Sequence, residues 1–368
     1  MRADARVARL RALLADNGLD AIVVRDVADI MWLTGFERVF DTERAHTLLL
    51  TQEAAALHTD SRYATALRSA AEAEGGTWAI DDARVSSAKF VAGQLAALDM
   101  ADARVCIDAA TPLSEYRALV AAVPDATLAE RAGDVLALRA VKDEAEIAVM
   151  KRAQAIASAA FLAMLERLAP GMRERDVSLM LEMEMRERGA DELAFANIVA
   201  SGPNSANPHA VPGERTLGRG DFVVFDFGAR IDGYRSDTTR TVCIGAPSAQ
   251  QRRIYEAVRA ANEEVERTIA PGVTGKAMHE LAESVLAEHG FAGKMGHSLG
   301  HGVGLDIHEQ PVLSPKNDAP LAEGNVVTVE PGVYLAGSDG ARLEDCGVLS
   351  CGAYVNFCTL GHELMVVE

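Results

Sequence analysis

The sequence predicts an α/β (α+β) protein in two domains, and three observations predict it. Residues 1 to about 130 alternate helix-like and strand-like stretches. Residues 151–368 carry a helix–helix–hairpin pattern twice. The chain has 368 residues with 49% hydrophobic side chains, enough for roughly two cores of 150 to 200 residues each.

The N-terminal stretch MRADARVARLRALLADNG is an amphipathic helix with Val7, Leu10, Leu13 and Leu14 on one side. It stops at Asn17-Gly18, and DAIVV follows as a buried strand. HTLLLT and AAALHTD are further strands, and ATALRSAAEAEGG is a helix with a glycine stop. Residues 1–130 form the first domain. The charged, helix-prone stretch 131–150, RAGDVLALRAVKDEAEIAVM, is expected as a linker helix. Residues 151–368 form the second domain, starting with helical KRAQAIASAAFLAMLERLAPG. The methionines of LMLEMEMRERG (179–189) are expected in core packing.

The second domain repeats itself. Pro170-Gly171 opens a helix that stops at Gly189, and Pro271-Gly272 opens one that stops at Gly290, an offset of 101 at both ends. GDFVVFDFG (220–228) aligns with GNVVTVEPG (324–332), so Asp226 falls on Glu330. Arg235-Ser236-Asp237 aligns with Arg342-Leu343-Glu344. Each copy therefore puts one acid on each arm of a hairpin. In VFDFGARIDGYRSDTTRT (224–241) the Asp-Gly pair is a hairpin turn, which makes Asp226 and Asp237 opposite or diagonal neighbours. Packing the copies about a pseudo-two-fold axis gathers four carboxylates, with GHSLGHGVGLDIHEQP (296–311) between them.

A lone Asp on a hairpin is usually solvated or caps the turn. His297, His301 and His308, spaced H-x3-H-x6-H, are alone ambiguous between ligands and loop packing. Acids at matching places in both copies favour a metal site. Four buried carboxylates need neutralising, and a pair of divalent ions does so. Oxygen donors with one imidazole favour Mn²⁺, with Co²⁺ or Zn²⁺ as alternatives, and two metals can share a bridging hydroxide.

The bulk numbers exclude other classes. Lys and Arg number 36 against 54 Asp and Glu, a net charge of −18, which argues against nucleic acid as a partner. Cys106, Cys243, Cys346, Cys351 and Cys358 form no CxxC pair and are expected as reduced core thiols. No apolar run of about 18 residues and no signal core is read, so no membrane partner and a cytoplasmic location are expected.

These residues together resemble a known family, the pita-bread metallopeptidases, specifically aminopeptidase P and prolidase with a creatinase-type N-terminal domain. The resemblance rests on MWLTGF (31–36), TDSRY (59–63), AVKDEAEIAVMKRA (140–153), SGPNSANPH, FDFGARIDGYRSDTTRT, GHSLGHGVGLDIHE, TVEPGVYL and ARLED, in that order. It implies a creatinase-like α/β domain followed by a pita-bread fold with an internal pseudo-two-fold repeat. It also implies two divalent metal ions held by Asp226, Asp237, His301, Glu330 and Glu344, with Asp237 and Glu344 bridging.

By the same resemblance His308 bonds the scissile carbonyl, His209 acts near the leaving proline and His297 lines the pocket. Glu330 is the proton shuttle and Arg342 pairs with a carboxylate. The implied substrate is a peptide with proline at its second position, and the implied reaction is hydrolysis of the bond before that proline. A homodimer is implied too, with Phe36 and residues 37–40 as the segment lent to the partner. Prolidases often place an arginine just after the HE of GLDIHE, where this chain has Gln310, Pro311 and Val312. That favours an aminopeptidase acting on longer peptides over a dipeptidase. The usual acid-rich run after Glu344 continues here as Asp345-Cys346.

The competing readings are a metal-free creatinase-type hydrolase, an ectoine-ring hydrolase, a methionine aminopeptidase and a binding protein that has lost catalysis. The intact ligand set argues against the first and the last. The N-terminal domain argues against methionine aminopeptidase.

Overall fold

The computed structural model describes residues 2–36, 38–41 and 43–368. The chain divides into two compact units, 1–139 and 140–368.

The first unit is a six-stranded sheet flanked by helices. In chain order it runs α1 (Arg2–Asp16), β1 (Ala21–Val24), α2 (Val27–Thr34), β2 (Thr47–Thr51), β3 (Ala55–His58) and α3 (Ala64–Ala73). It continues through β4 (Ala79–Asp81), α4 (Ser87–Ala97), β5 (Arg104–Asp108), α5 (Leu113–Ala122), β6 (Thr127–Arg131) and α6 (Asp134–Arg139). The sheet order is β4-β3-β2-β1-β5-β6. The β1–β5 and β5–β6 pairs are parallel, and β1–β2 is antiparallel. All four residues of AIVV in β1 are buried, as a strand covered on both faces requires. Helix α1 buries Val7, Leu10 and Leu14 and ends at Gly18, whose φ of 61° lets the chain reverse.

Phe36 is 1% exposed and packs edge-on against Trp78 within this unit. That corrects the expectation that it reaches a partner subunit; Glu37 of the same segment lies outside the described residues.

The stretch 131–150 is not one linker helix. Arg131 ends β6, α6 closes the first unit, and a new helix, α7 (Glu144–Leu165), belongs to the second. The break has a long-range cause. Val141 bridges Asn325, and the Lys142 amide bonds the carbonyl of Gly324. Asp143 and Glu146 then start α7 with a reciprocal capping box. By length and composition α7 is apolar enough to span a membrane. Its apolar face, including Ala157, Phe161 and Met164, is buried in the core of the second unit.

The second unit continues with α8 (Glu174–Glu187), β7 (Glu192–Leu193), β8 (Ile198–Ser201), β9 (Phe222–Phe227), β10 (Ala229–Ile231), β11 (Tyr234–Arg235) and β12 (Thr238–Ile244). After α9 (Ala249–Thr268) and α10 (Gly275–Glu288) come β13 (Gly300–Gly302), β14 (Glu309–Leu313), β15 (Val326–Val329), β16 (Gly332–Tyr334), β17 (Gly340–Arg342), β18 (Asp345–Ser350), β19 (Ala353–Asn356) and β20 (Met365–Val367). Helices α7 and α8 share a core with the sheet β20-β12-β9-β8, where Phe161 stacks on Phe227. Helices α9 and α10 share another with the sheet β14-β13-β15-β18-β19.

The internal repeat extends to single hydrogen bonds. Gly171 N donates to Leu217 O (2.8 Å) and Leu217 N to Met172 O (2.9 Å). In the second copy Gly272 N donates to Leu321 O (2.8 Å) and Leu321 N to Val273 O (2.7 Å). The helix stops at Gly189 and Gly290 have φ of 99° and 86°. On α8, Val177, Leu181 and Met185 are buried, but Met183 is 60% exposed, so the methionine stretch is only partly core. Cys106, Cys243 and Cys346 are buried thiols, Cys358 is partly buried, and Cys351 is exposed in the β18–β19 turn, against the core expectation.

Candidate metal centre

The first pair of acids is placed by local geometry. Phe227 pairs with Thr238 and Asp226 with Thr239 across β9 and β12, and Arg230 with Arg235 across β10 and β11. The turn residues Asp232 and Gly233 both have positive φ, 48° and 85°, as a two-residue hairpin turn of the observed hand requires. One unbroken register therefore sets Asp237 opposite Gly228 and diagonal to Asp226. A Cβ on Gly228 would lie 1.9 Å from the carbonyl oxygen of Ser236, so only glycine fits there.

In the second copy Val329 pairs with Asp345 and Gly332 with Arg342, which sets Glu330 directly opposite Glu344. The copies join where Thr239 bridges Glu344: the Glu344 amide donates to Thr239 O (3.1 Å) and Thr239 Oγ1 to Glu344 Oε2 (2.7 Å).

His301 on β13 completes the cluster. Ligating atoms of Asp237, His301 and Glu344 all lie within 4.8 Å of one another. His301 Nε2 is 3.5 Å from Asp237 Oδ2 and 3.5 Å from Glu330 Oε1. Its Nδ1 donates to the carbonyl of Gly302 (3.1 Å), which leaves Nε2 as a lone-pair donor facing the carboxylates. Asp226 Oδ2 accepts from Arg342 Nη2 at 2.5 Å, while its Oδ1 is buried with no hydrogen-bond partner.

Burial dominates the electrostatics. It raises the carboxyl of Asp226 despite the Arg342 guanidinium, and raises those of Asp237 and Glu344 well above the carboxylate range. Glu330 is pushed up to about 8, again chiefly by burial. Burial holds His301 down at about 4, so its ring is neutral. Ionised together, the four carboxylates would outnumber the single guanidinium, so without further cations burial keeps protons on them. The orphaned Asp226 oxygen, the neutral imidazole and the oxygen-rich donors together fit divalent cations.

Asp226, Asp237, His301, Glu330 and Glu344 share one cavity of about 630 Å³ with His209, His297, His308 and Arg342. All nine residues named from the sequence therefore meet in one place. Apolar walls come from Phe195, Ile198, Val211, Ile307 and Val312. The rings of His308 and His301 stand edge to face, 4.4 Å apart.

Tyr334, in TVEPGVYL, has no role in the sequence reading, and its hydroxyl connects two site residues. It accepts from Arg342 Nη1 (2.9 Å) and lies 3.0 Å from His297 Nε2. His297 Nδ1 donates to Ser298 O (2.7 Å), and burial holds its pKa at about 4, so the tyrosine proton points to Nε2. Thr239 was also missed; besides Glu344 it bonds Arg342 Nε (3.0 Å). Asp345, the acid after Glu344, serves elsewhere: Arg240 (2.7 Å) and His362 (2.8 Å) hold its two oxygens.

Residues 148–350 match Metallopeptidase family M24, and residues 6–141 match the Creatinase/Prolidase N-terminal domain. The chain is 41% identical over 208 residues to the Xaa-Pro dipeptidase of Pyrococcus horikoshii, an alignment covering 56% of this chain and 59% of that protein's length. It superposes on the Xaa-Pro dipeptidase from Bacillus anthracis with a TM-score of 0.92 and 34% identity, covering 99% of both chains. On the X-Pro aminopeptidase from Thermotoga maritima the TM-score is 0.88 with 34% identity, over 98% of this chain and 99% of that one. A creatinase-like first unit, a doubled hairpin unit and a family match across more than half the residues lead to one conclusion: the chain belongs to metallopeptidase family M24.

Proposed function

We propose that the protein is a metal-dependent Xaa-Pro dipeptidase, hydrolysing the peptide bond between a first residue and a following proline. The observation that carries it is the convergence of four carboxylates, those of Asp237 and Glu344 buried and those of Asp226 and Glu330 largely so, with one neutral imidazole in a single cavity. Relatives named Xaa-Pro dipeptidase supply the substrate class. This reverses the order drawn from residues 310–312, because relatives named Xaa-Pro dipeptidase are found by sequence and by structure alike.

Asp226, Asp237, His301, Glu330 and Glu344 would hold the metal pair. When bound, it supplies Lewis acidity at the scissile carbonyl and acidifies water near neutral pH. Glu330 takes the proton of the attacking water and delivers it to the proline nitrogen as the C–N bond breaks. His308 donates a hydrogen bond to the carbonyl oxygen as negative charge grows there. His209, on the cavity wall, contacts the proline side. Arg342 holds Asp226 in orientation, and Tyr334 fixes Arg342 and His297 together. Mn²⁺ as the metal, a homodimeric assembly and a cytoplasmic location complete the proposal.

A second reading is an Xaa-Pro aminopeptidase acting on longer peptides. Val312 lines the cavity and 310–312 carry no cation to hold a dipeptide's terminal carboxylate. The test is proline release from an Xaa-Pro dipeptide and first-residue release from an Xaa-Pro-Xaa tripeptide, with Mn²⁺ present. His301→Ala and Asp237→Ala serve as blanks. Cleavage of the dipeptide supports the proposal. Cleavage of the tripeptide alone supports the second reading, and cleavage of neither, with metal bound, removes both.

A further inference from the structure

Glu174 is a buried acid that the chemistry above does not use. It is the first residue of α8, 1% exposed, and does not line the cavity. Neutral donors surround its carboxylate. Oε1 accepts from the Ser201 amide (2.8 Å), Ser201 Oγ (2.7 Å) and Asn204 Nδ2 (3.0 Å). Oε2 accepts from the Gly213 amide (3.2 Å) and from Asn204 Nδ2 (3.2 Å). The nearby Arg215 reaches Ser201 Oγ (2.6 Å) and Asp221.

Ser201 and Gly213 are the two ends of one loop. Pro208, His209, Ala210, Val211 and Pro212 of that loop line the metal cavity. Glu174 thus closes the neck of the loop that carries His209. The loop body is tied elsewhere, by Gly340 N to Ser205 Oγ (2.8 Å) and Arg342 Nη1 to Pro208 O (3.4 Å).

The internal repeat isolates what Glu174 adds. At the same offset the second copy has Gly275. A Cβ there would lie 2.3 Å from the carbonyl oxygen of Val312, so that copy packs its own cavity-lining segment directly on the helix backbone. The backbone ribbon at the helix start is the same in both copies, since Arg173 bridges Thr216 as Thr274 bridges Pro320. The copies part at the first helical residue, Glu174 against Gly275. Where the second copy uses backbone contact, the first spans the gap with a carboxylate that accepts from both ends of a loop.

We propose that Glu174 is a positioning residue that sets His209 against the substrate by clamping the neck of loop 202–212. The proposal rests on the reading that His209 contacts the substrate. Glu174→Gln keeps the shape but replaces one acceptor oxygen with a donor, which opposes the Gly213 or Ser201 amide.

The test is a cycle of the parent, E174Q, H209A and E174Q/H209A on an Xaa-Pro dipeptide with saturating Mn²⁺. E174Q is expected to raise KM about fivefold with kcat changed less than about twofold. In the H209A background E174Q is expected to change kcat/KM by less than about 1.5-fold, because its effect runs through His209. An equal loss in both backgrounds, or no loss in the parent, overturns the proposal. Hydrogen exchange in a peptide spanning 198–213, read without substrate, should speed up about tenfold in E174Q, and unchanged exchange likewise overturns it. If E174Q does not fold, N204A removes one donor and should show the same pattern more weakly; an unchanged KM and unchanged exchange there also overturn it. If the parent cleaves no Xaa-Pro peptide, the proposed function falls, and the exchange measurement still decides whether Glu174 clamps the loop.

Discussion

Lys142 and Glu309 form an ion pair at 3.0 Å with both side chains 1% exposed. Glu309 follows His308 directly, and its other oxygen accepts the Asp306 amide at 3.0 Å. A Cβ on Gly304 would lie 2.6 Å from this carboxylate, so GVGLDIHE folds tightly around it. Replacing Lys142 with Met keeps the unbranched stem up to the ε position and removes the charged ammonium. The carboxylate of Glu309 then loses its ion pair at 3.0 Å, and breaking a buried pair from one side costs about 3–5 kcal/mol. For a unit of this size, at about 2–4 °C per kcal/mol, the melting temperature should fall by roughly 6–20 °C. E309Q alone strands the ammonium and should cost a similar amount. K142M/E309Q strands no charge and should cost about 1–2 kcal/mol, well short of the two single losses added. Calorimetric melts of the four proteins at pH 7.5 measure this. Single variants melting within about 3 °C of the parent, or a double variant showing the full sum, would refute the reasoning.

Two further predictions follow from the cavity. Without metal, Glu330 keeps its proton in the fold up to about pH 8, while in the unfolded chain it loses it near its ordinary value of 4.5. Folding therefore takes up a proton between those values, and this group's contribution to stability is complete at low pH and falls by about 1.4 kcal/mol per unit as pH rises through the window. Chelated protein should melt higher at pH 5.5 than at pH 7.5, with Mn²⁺ flattening the difference; a flat profile in chelator would count against the buried carboxyls. Tyr334→Phe removes the hydroxyl shared by Arg342 and His297 and should cost about 1–3 kcal/mol in urea unfolding with metal stoichiometry unchanged; loss of bound metal would show that Tyr334 does more than connect those two side chains.

Much of the centre was legible because its parts are local. The Asp-Gly turn specifies the first hairpin, the hairpin sets the register, and the register sets Asp226 against Asp237. Alignment of the second copy, at offsets of 104 and 107, put Glu330 and Glu344 on its hairpin arms, where the altered spacing makes them direct rather than diagonal neighbours. The junction was misjudged because helix propensity is continuous through 131–150, whereas the break comes from Asn325 and Gly324, far along the chain. The D-x-x-E pattern of Asp143 and Glu146 was the available signal for the new helix start. Phe36 sits in the motif MWLTGF, which carries no local sign of burial; the fold buries it against Trp78, distant in the chain. Glu174 and Thr239 had no local signal; both act through partners that only the folded chain supplies.

By itself the sequence determined the donor types, their pairing on hairpin arms and the existence of two related copies, since short-range sterics and backbone hydrogen bonding set those. Only the tertiary structure decided that Thr239 meets Glu344, that Arg342 takes one oxygen of Asp226 and leaves the other bare, and that a carboxylate on α8 closes the His209 loop. Those contacts join residues from about 30 to more than 100 positions apart, and they form because burying the apolar faces of α7–α10 against two sheets brings the copies together.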